Sequence, residues 1–491
     1  MSSSPVNTVS ASPEMPKDFP DWLNPVLVKE VRQGLRTRLF LSTFLVPQIL
    51  LLVWMFYSSV ELSYGNKGTA IDFFFWLIVF AGLYVATIPA LMVVRGERRH
   101  NTLELLLLTR QGGFSIVWGK WLSIMLQALI FASSLMPYFI LRYFFNTFDL
   151  VRDGSFMVIA LSVALVISSI RLHGSSLPLW QNIATEILGG IFLIVLLGMV
   201  SGELTGKVMK GDESWGLVML WFVCYAMLYS LMFLFLAASN IKGNKENFAT
   251  RKRLLGLFLL LPPAIAWGVD AFEPARSFLF ASTLPMLLII SSDAIFSTSL
   301  TSPSMYAAFK HHGLAGRLFA LLVAPTRSSG ICYFLFFFSV LIFLLFFRER
   351  LTSKSPPREI IAMILILVAE GVLAAFALAR FSFRFVKRWQ FNTLLKFFFF
   401  VEGVLALFST FGYFACREAW GKASFEWVIA ASATPWGALV LFERSSPLRV
   451  LTPYALIVGL ILVLALWRYF FENLRKTWKI CKGEPAEITE E

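Results

Sequence analysis

LFLSTFLVPQILLLVWMFYSSV, residues 39–60, carries no charged side chain and is long enough to cross a hydrocarbon core of about 30 Å as one helix. Blocks of the same kind recur along the chain. A window of about 19 residues finds twelve, centred near Leu50, Leu83, Ile130, Leu165, Ile194, Leu228, Leu260, Leu288, Val340, Val368, Leu405 and Leu462. The block near Leu165 is short, and the segment 425–442, amphipathic with Pro435 inside it, suits an interfacial or re-entrant helix better than a further span. Composition agrees: the 491 residues are 57% hydrophobic and 15% charged, against about 45–50% and 25% in a soluble domain. The weak alternation of an outer-membrane barrel is not seen. The fold class read here is an all-α polytopic membrane protein of about twelve transmembrane helices. The net charge of +13 implies no nucleic-acid partner, because in such a chain basic residues mark the cytoplasmic loops.

Those loops set an orientation. Arg32, Arg36 and Arg38 precede the first span; Arg95, Arg98, Arg99, Arg110 and Lys120 follow the second; Lys242, Lys245, Arg251, Lys252 and Arg253 follow the sixth. With the basic stretches around Arg317, Arg384 and Lys479 they place both termini in the cytoplasm; the membrane is expected to be a plasma membrane, of the bacterial inner-membrane kind. One loop, 348–358, carries four basic residues on the side expected outside. Residues 1–20, rich in Ser and Pro, lack the basic start and apolar run of a cleaved signal and read as a disordered tail. An elbow over 21–38, a six-span module over 39–253, a second six-span region over 254–472 and a tail over 473–491 follow from this division.

Metal and thiol chemistry find no footing. Cys224, Cys332, Cys416 and Cys481 lie far apart, and His100, His173, His311 and His312 fall in short polar stretches that read as solvated loops. No metal and no cofactor is expected.

Two motifs stand at the cytoplasmic face. In DWLNPVLVKEVRQGLRTRLF, Asn24 suits the cap of a helix that starts on Pro25, where the missing N–H costs nothing. Leu23, Leu27, Val31 and Leu35 share one side and Lys29, Arg32 and Arg36 another, as in a helix lying in the membrane interface. The other reading is a basic flank continuous with the first span. In RGERRHNTLELLLLTRQGGFSIVWGK, Asn101 and Glu104 resemble a capping box, the leucines 105–108 follow, and Gly112–Gly113 ends a short loop helix. Its apolar side either docks on another protein or packs on the chain's own cytoplasmic face.

Together these motifs resemble the membrane subunit of type-2 ABC exporters, whose members typically show an NPxxxKE(L/V)R start and an ExxxxTLExLLxTP…GK loop. The resemblance covers about Trp22 to Tyr143. It implies an interfacial elbow helix bearing Asn24, Pro25, Lys29, Glu30 and Arg32, and a coupling helix over 97–113 that inserts into a separate ATPase subunit, itself a dimer. Glu97, Arg98, Thr102, Leu103, Glu104, Leu105, Leu106 and Thr109 then sit on or beside that coupling helix. Arg110 stands where the family often has Pro, and Asn101 where it often has Gly. The family module has six spans, so the second half is either a fused module, with a second permease copy or homologue as partner otherwise, or an extension. A short echo, QGLRTRLF against HGLAGRLF, pairs Gly34 with Gly313, Arg38 with Arg317 and Phe40 with Phe319.

GGFSIVWGKW fails as a phosphate loop, because Gly113 to Gly119 encloses five residues and Trp121 stands where Ser or Thr must bind magnesium. ATP hydrolysis is therefore expected on another chain, and this chain is read as a permease rather than an enzyme. Charges at membrane depth are costly and usually face a bundle interior. Glu186, Asp293, Glu370 and Glu402 qualify, the last two in the strings EGVLAAF and EGVLALF. Asp293, Glu370 and Glu402 either line a transport path or make structural pairs. An ion-coupled secondary transporter using these carboxylates is the competing reading. An intramembrane enzyme is disfavoured by the absence of DxxD, HExxH or GxSxG.

Overall fold

The computed structural model describes residues 25–63, 69–99, 101–102, 112–144, 149–178, 215–242, 247–259, 313–324 and a scatter of single positions, among them 186, 290, 293–294, 329–330, 332–334 and 340. Ten helices are described along their length, further single described positions are helical as well, and no strand occurs among the described residues: α1 (Pro25–Leu35), α2 (Arg38–Ser63), α3 (Thr69–Ala86), α4 (Ala90–Arg99), α5 (Gly113–Ser133), α6 (Met136–Phe144), α7 (Leu150–Ser175), α8 (Trp215–Lys242), α9 (Phe248–Leu259) and α10 (Gly313–Val323).

Five stretches are long and apolar enough to cross a membrane: Arg38–Val60, Phe74–Arg99, Gly113–Phe144, Leu150–Ser175 and Met219–Ile241. They coincide with the expected centres at Leu50, Leu83, Ile130, Leu165 and Leu228. The other seven expected spans fall mainly outside the described residues, as do 348–358 and 425–442. The block at Leu165 is not short, since α7 runs for 26 residues. Its polar start is helical because Asp149 caps it, accepting hydrogen bonds from the N–H groups of Val151 and Arg152 at 2.9 and 3.0 Å.

Two of the five crossings are broken helices. The second bends at Thr87–Pro89 between α3 and α4, and the third at Ser134–Leu135 before Pro137, where a proline cannot donate to the preceding turn. At the first break Arg171 of α7 supplies replacement donors, to the Tyr84 carbonyl at 2.7 Å and the Thr87 hydroxyl at 2.6 Å, with its guanidinium 4.0 Å from the Tyr84 ring centre. Glu186 pairs with the same arginine at 3.4 Å.

α7 is the central helix, packing on α3, α4 and α5 and most extensively on α8. Its buried face is rich in small residues, Ser155, Ala160, Ala164, Ser168 and Ser169 among them, which lets neighbouring backbones approach where apolar lipid gives helices no hydrophobic reason to associate. Ser168 and Ser169 satisfy their hydroxyls on the carbonyls of Leu165 and Val166. Gly82 of α3 serves the same end, since a Cβ there would lie 2.4 Å from the Phe131 ring of α5.

The core has two storeys. At one end Leu51, Trp54, Phe75, Val79, Leu83, Phe131 and Leu135 pack together; at the other Val94, Val117, Trp121, Leu172, Leu234, Ala237 and Phe248 do. The first storey holds an ion pair of Arg142 with Asp153 at 3.3 Å, both 0% exposed, with the guanidinium 4.5 Å from the Phe75 ring centre. The second lies beside the ends that carry Lys29, Arg36, Arg98, Arg99 and Arg251, and is called the basic end below. α7 and α8 both finish there, as Asn240 meets Ser176 at 3.0 Å. The two helices therefore run parallel. His173, expected in a solvated loop, lies instead in the last turn of α7, half-buried beside Asn240 and Phe233.

Beyond α8, Asn247 caps α9 by accepting from the Thr250 N–H at 3.2 Å. Buried Arg253 then gathers the surroundings, donating to the carbonyl of Ala324 just after α10, to the Ser329 hydroxyl at 2.7 Å and to the Ala294 carbonyl at 3.0 Å. A cation at a helix C-terminus meets both the unsatisfied carbonyls and the negative dipole end. The strings QGLRTRLF and HGLAGRLF differ here: the first straddles the break between α1 and α2, whereas Gly313, at φ +60°, opens an unbroken α10.

Candidate functional site

The two motifs of the basic end meet on one side chain. α1 starts on Pro25, as the sequence predicts, and turns Leu27, Glu30, Val31 and Gly34 toward α5. These positions recur every three or four residues and so share a face. Gly34 permits the approach, because a Cβ there would sit 2.3 Å from Gln127 Nε2. The apolar side of α1 therefore packs on protein and is not wholly given to lipid.

Glu30 on this face reaches Lys120 Nζ at 2.6 Å, and Glu97 of α4 reaches the same nitrogen at 2.7 Å. Lys120 is 1% exposed, Glu30 15% and Glu97 12%. One ammonium thus holds two carboxylates from two other helices in a largely dry setting. Charge-assisted bonds of this length are the strong ones, and a buried lysine is tolerable only when it is so paired.

The surroundings keep Lys120 in place. It sits in the second turn of α5, whose start is anchored by Phe114, stacked on Trp118 at 5.7 Å and on Phe235 of α8 at 4.7 Å. One residue further on, Trp121 donates to the Ser168 hydroxyl of α7 at 2.9 Å. Arg98, next to Glu97, donates to the Ser176 carbonyl beyond the end of α7 at 3.2 Å. The junction therefore touches α1, α4, α5 and α7 at once.

Glu97 and Arg98 do not belong to a separate loop helix beginning at 97. They form the last turn of α4, where basic Arg98 and Arg99 suit the negative end of the helix dipole. Asn101 stands directly before helical Thr102, where the sequence places a cap, but with φ +55°, a left-handed geometry that asparagine tolerates, and not in the extended conformation of an N-cap. Thr102 follows and donates to the Glu97 carbonyl at 3.3 Å. Phe114 to Lys120, read as loop, are helical because α5 begins at Gly113.

Lys29 and Arg32 lie on the exposed side of α1. Asn24, Leu103, Glu104, Leu105, Leu106 and Thr109 lie outside the described residues, as do Glu370 and Glu402. Asp293 is apart from the junction, paired with Lys252 of α9 at 2.5 Å. Lys120 is the residue that sequence reasoning missed as a partner, although it closes the GK of the loop motif.

Comparison with family models, with curated proteins and with solved structures finds no match. The functional reading therefore rests on the junction and on the sequence motifs that build it.

Proposed function

We propose that this chain is the membrane-spanning permease subunit of an ATP-driven exporter of the type-2 ABC class, working with a separate ATPase subunit in a bacterial inner membrane. In this reading about twelve spans cross the membrane and both termini face the cytoplasm. The observation that carries it is the meeting of Glu30, from the elbow motif, and Glu97, from the loop motif, on Lys120. Such a junction suits a machine in which a partner pushes on the loop after α4: displacement of Glu97 acts on α5 through Lys120 and on α1 through Glu30. The lack of a phosphate-binding loop in the sequence supports placing nucleotide hydrolysis on the partner in this reading.

The test is co-purification. Leu105→Ala, Leu106→Ala and Glu104→Lys together remove apolar contact area and put the wrong sign beside the start of the loop helix. The expected outcome is loss of a co-expressed ATPase subunit from the purified complex, with membrane insertion intact. Retention of the full complex overturns the proposal.

A further inference from the structure

We propose that the corner between α1 and α2 is a binding site for the phosphate-bearing headgroups of anionic phospholipids. One side chain ties the corner together. Thr37 Oγ1 donates to the Gly34 carbonyl at 2.7 Å and accepts from the Phe40 N–H at 3.1 Å, closing the end of α1 and capping the start of α2 with one hydroxyl.

Two faces of α1 have different partners. At about 100° per residue, Leu27, Glu30, Val31 and Gly34 cluster on the side that meets α5. Lys29 and Arg36 fall on nearly the opposite side and are exposed. Arg38, the first residue of α2 and two positions after Arg36, is exposed as well.

Below this cationic patch the outward side of α2 is apolar and open: Leu39, Leu41, Val46, Ile49, Val53 and Phe56 are each 40% exposed or more. The first membrane crossing starts at Arg38, so Arg36 and Arg38 stand where its apolar stretch begins, and Lys29 extends the cationic side two turns back along the exposed face of α1. A cationic cluster that continues into a lipid-facing apolar strip matches an anionic amphiphile. A soluble acidic protein would leave the strip unmatched. The site depends on membrane embedding and not on the ATPase partner.

The experiment uses the full chain in phosphatidylcholine vesicles, probed with spin-labelled phosphatidylglycerol and spin-labelled phosphatidylcholine. The expected result is a preference of about fivefold or more for the anionic probe, reduced by 0.5 M salt, abolished in the Lys29→Gln, Arg36→Gln, Arg38→Gln variant and kept when the three are exchanged as Lys29→Arg, Arg36→Lys, Arg38→Lys. An unchanged preference in the folded glutamine variant overturns the proposal. So does a preference in the unmodified chain that salt does not alter, a readout that does not require the variant to fold. If the glutamine variant keeps its lipid preference but loses a co-expressed ATPase, the face docks protein and the proposal falls.

Discussion

Replacing Lys120 by methionine removes one ammonium while nearly preserving the volume of the side chain, and it leaves Glu30 and Glu97 facing each other without a counter-charge. Both carboxylates are more than four-fifths buried and reach the same nitrogen, at 2.6 and 2.7 Å. Removing one partner from a buried ion pair costs about 3–5 kcal/mol, most of it the penalty of stranding the other charge. At about 2–4 °C per kcal/mol this is a fall of roughly 6–20 °C in Tm. The 15 tryptophans of the chain, Trp118 and Trp121 close to the junction, make intrinsic fluorescence during heating in detergent a direct assay. The decisive comparison is with Lys120→Met, Glu30→Gln and Glu97→Gln combined. Uncharged replacement of a whole buried cluster is often close to neutral, so this variant is expected to regain at least half of the lost Tm. A Lys120→Met variant that melts with the parent, or a triple variant less stable than the single one, refutes the account of Lys120 as the charge that binds α1 and α4 to α5.

Thr37→Ala removes the cap of α2 and the bond to Gly34, and is expected to lower stability by about 1 kcal/mol, measured as a small fall in Tm at unchanged helix content by circular dichroism. Asp153→Asn strips the charge from a pair that is fully buried with Arg142; a loss of about 3 kcal/mol or more is expected in the same melting assay, with Arg142→Met and Asp153→Asn combined milder than the single change. Cysteines introduced near Lys245 and near Thr205 are expected to react with an impermeant maleimide from the cytoplasmic and the outer side respectively, and labelling of position 205 from the cytoplasm reverses the orientation.

The five described crossings were legible in the sequence, because an uncharged apolar run long enough to span hydrocarbon has few other ways to satisfy its backbone than as a helix. The start of α1 was legible too: Pro25 at a first helical position is a local preference that needs no partner. The start of the third crossing was not legible: Phe114 to Lys120, read as part of the loop, belong to α5, which begins at Gly113 and packs on α7 and α8.

The junction belonged to tertiary structure alone. In sequence Lys120 counts as one more basic residue marking a cytoplasmic side, and it lies 90 residues from Glu30 and 23 from Glu97. Which charges pair is decided by which helix faces meet, and in a membrane bundle periodicity carries little information on that point. The outward side of α2 is as apolar as its packed side, so hydrophobicity marks the span without marking its inner face. The facing of α5 toward α1, set by small contacts such as Gly34 on Gln127 and by the anchoring of Phe114 and Trp121 on α8 and α7, is what turned a loop-edge lysine into the buried link between two motifs.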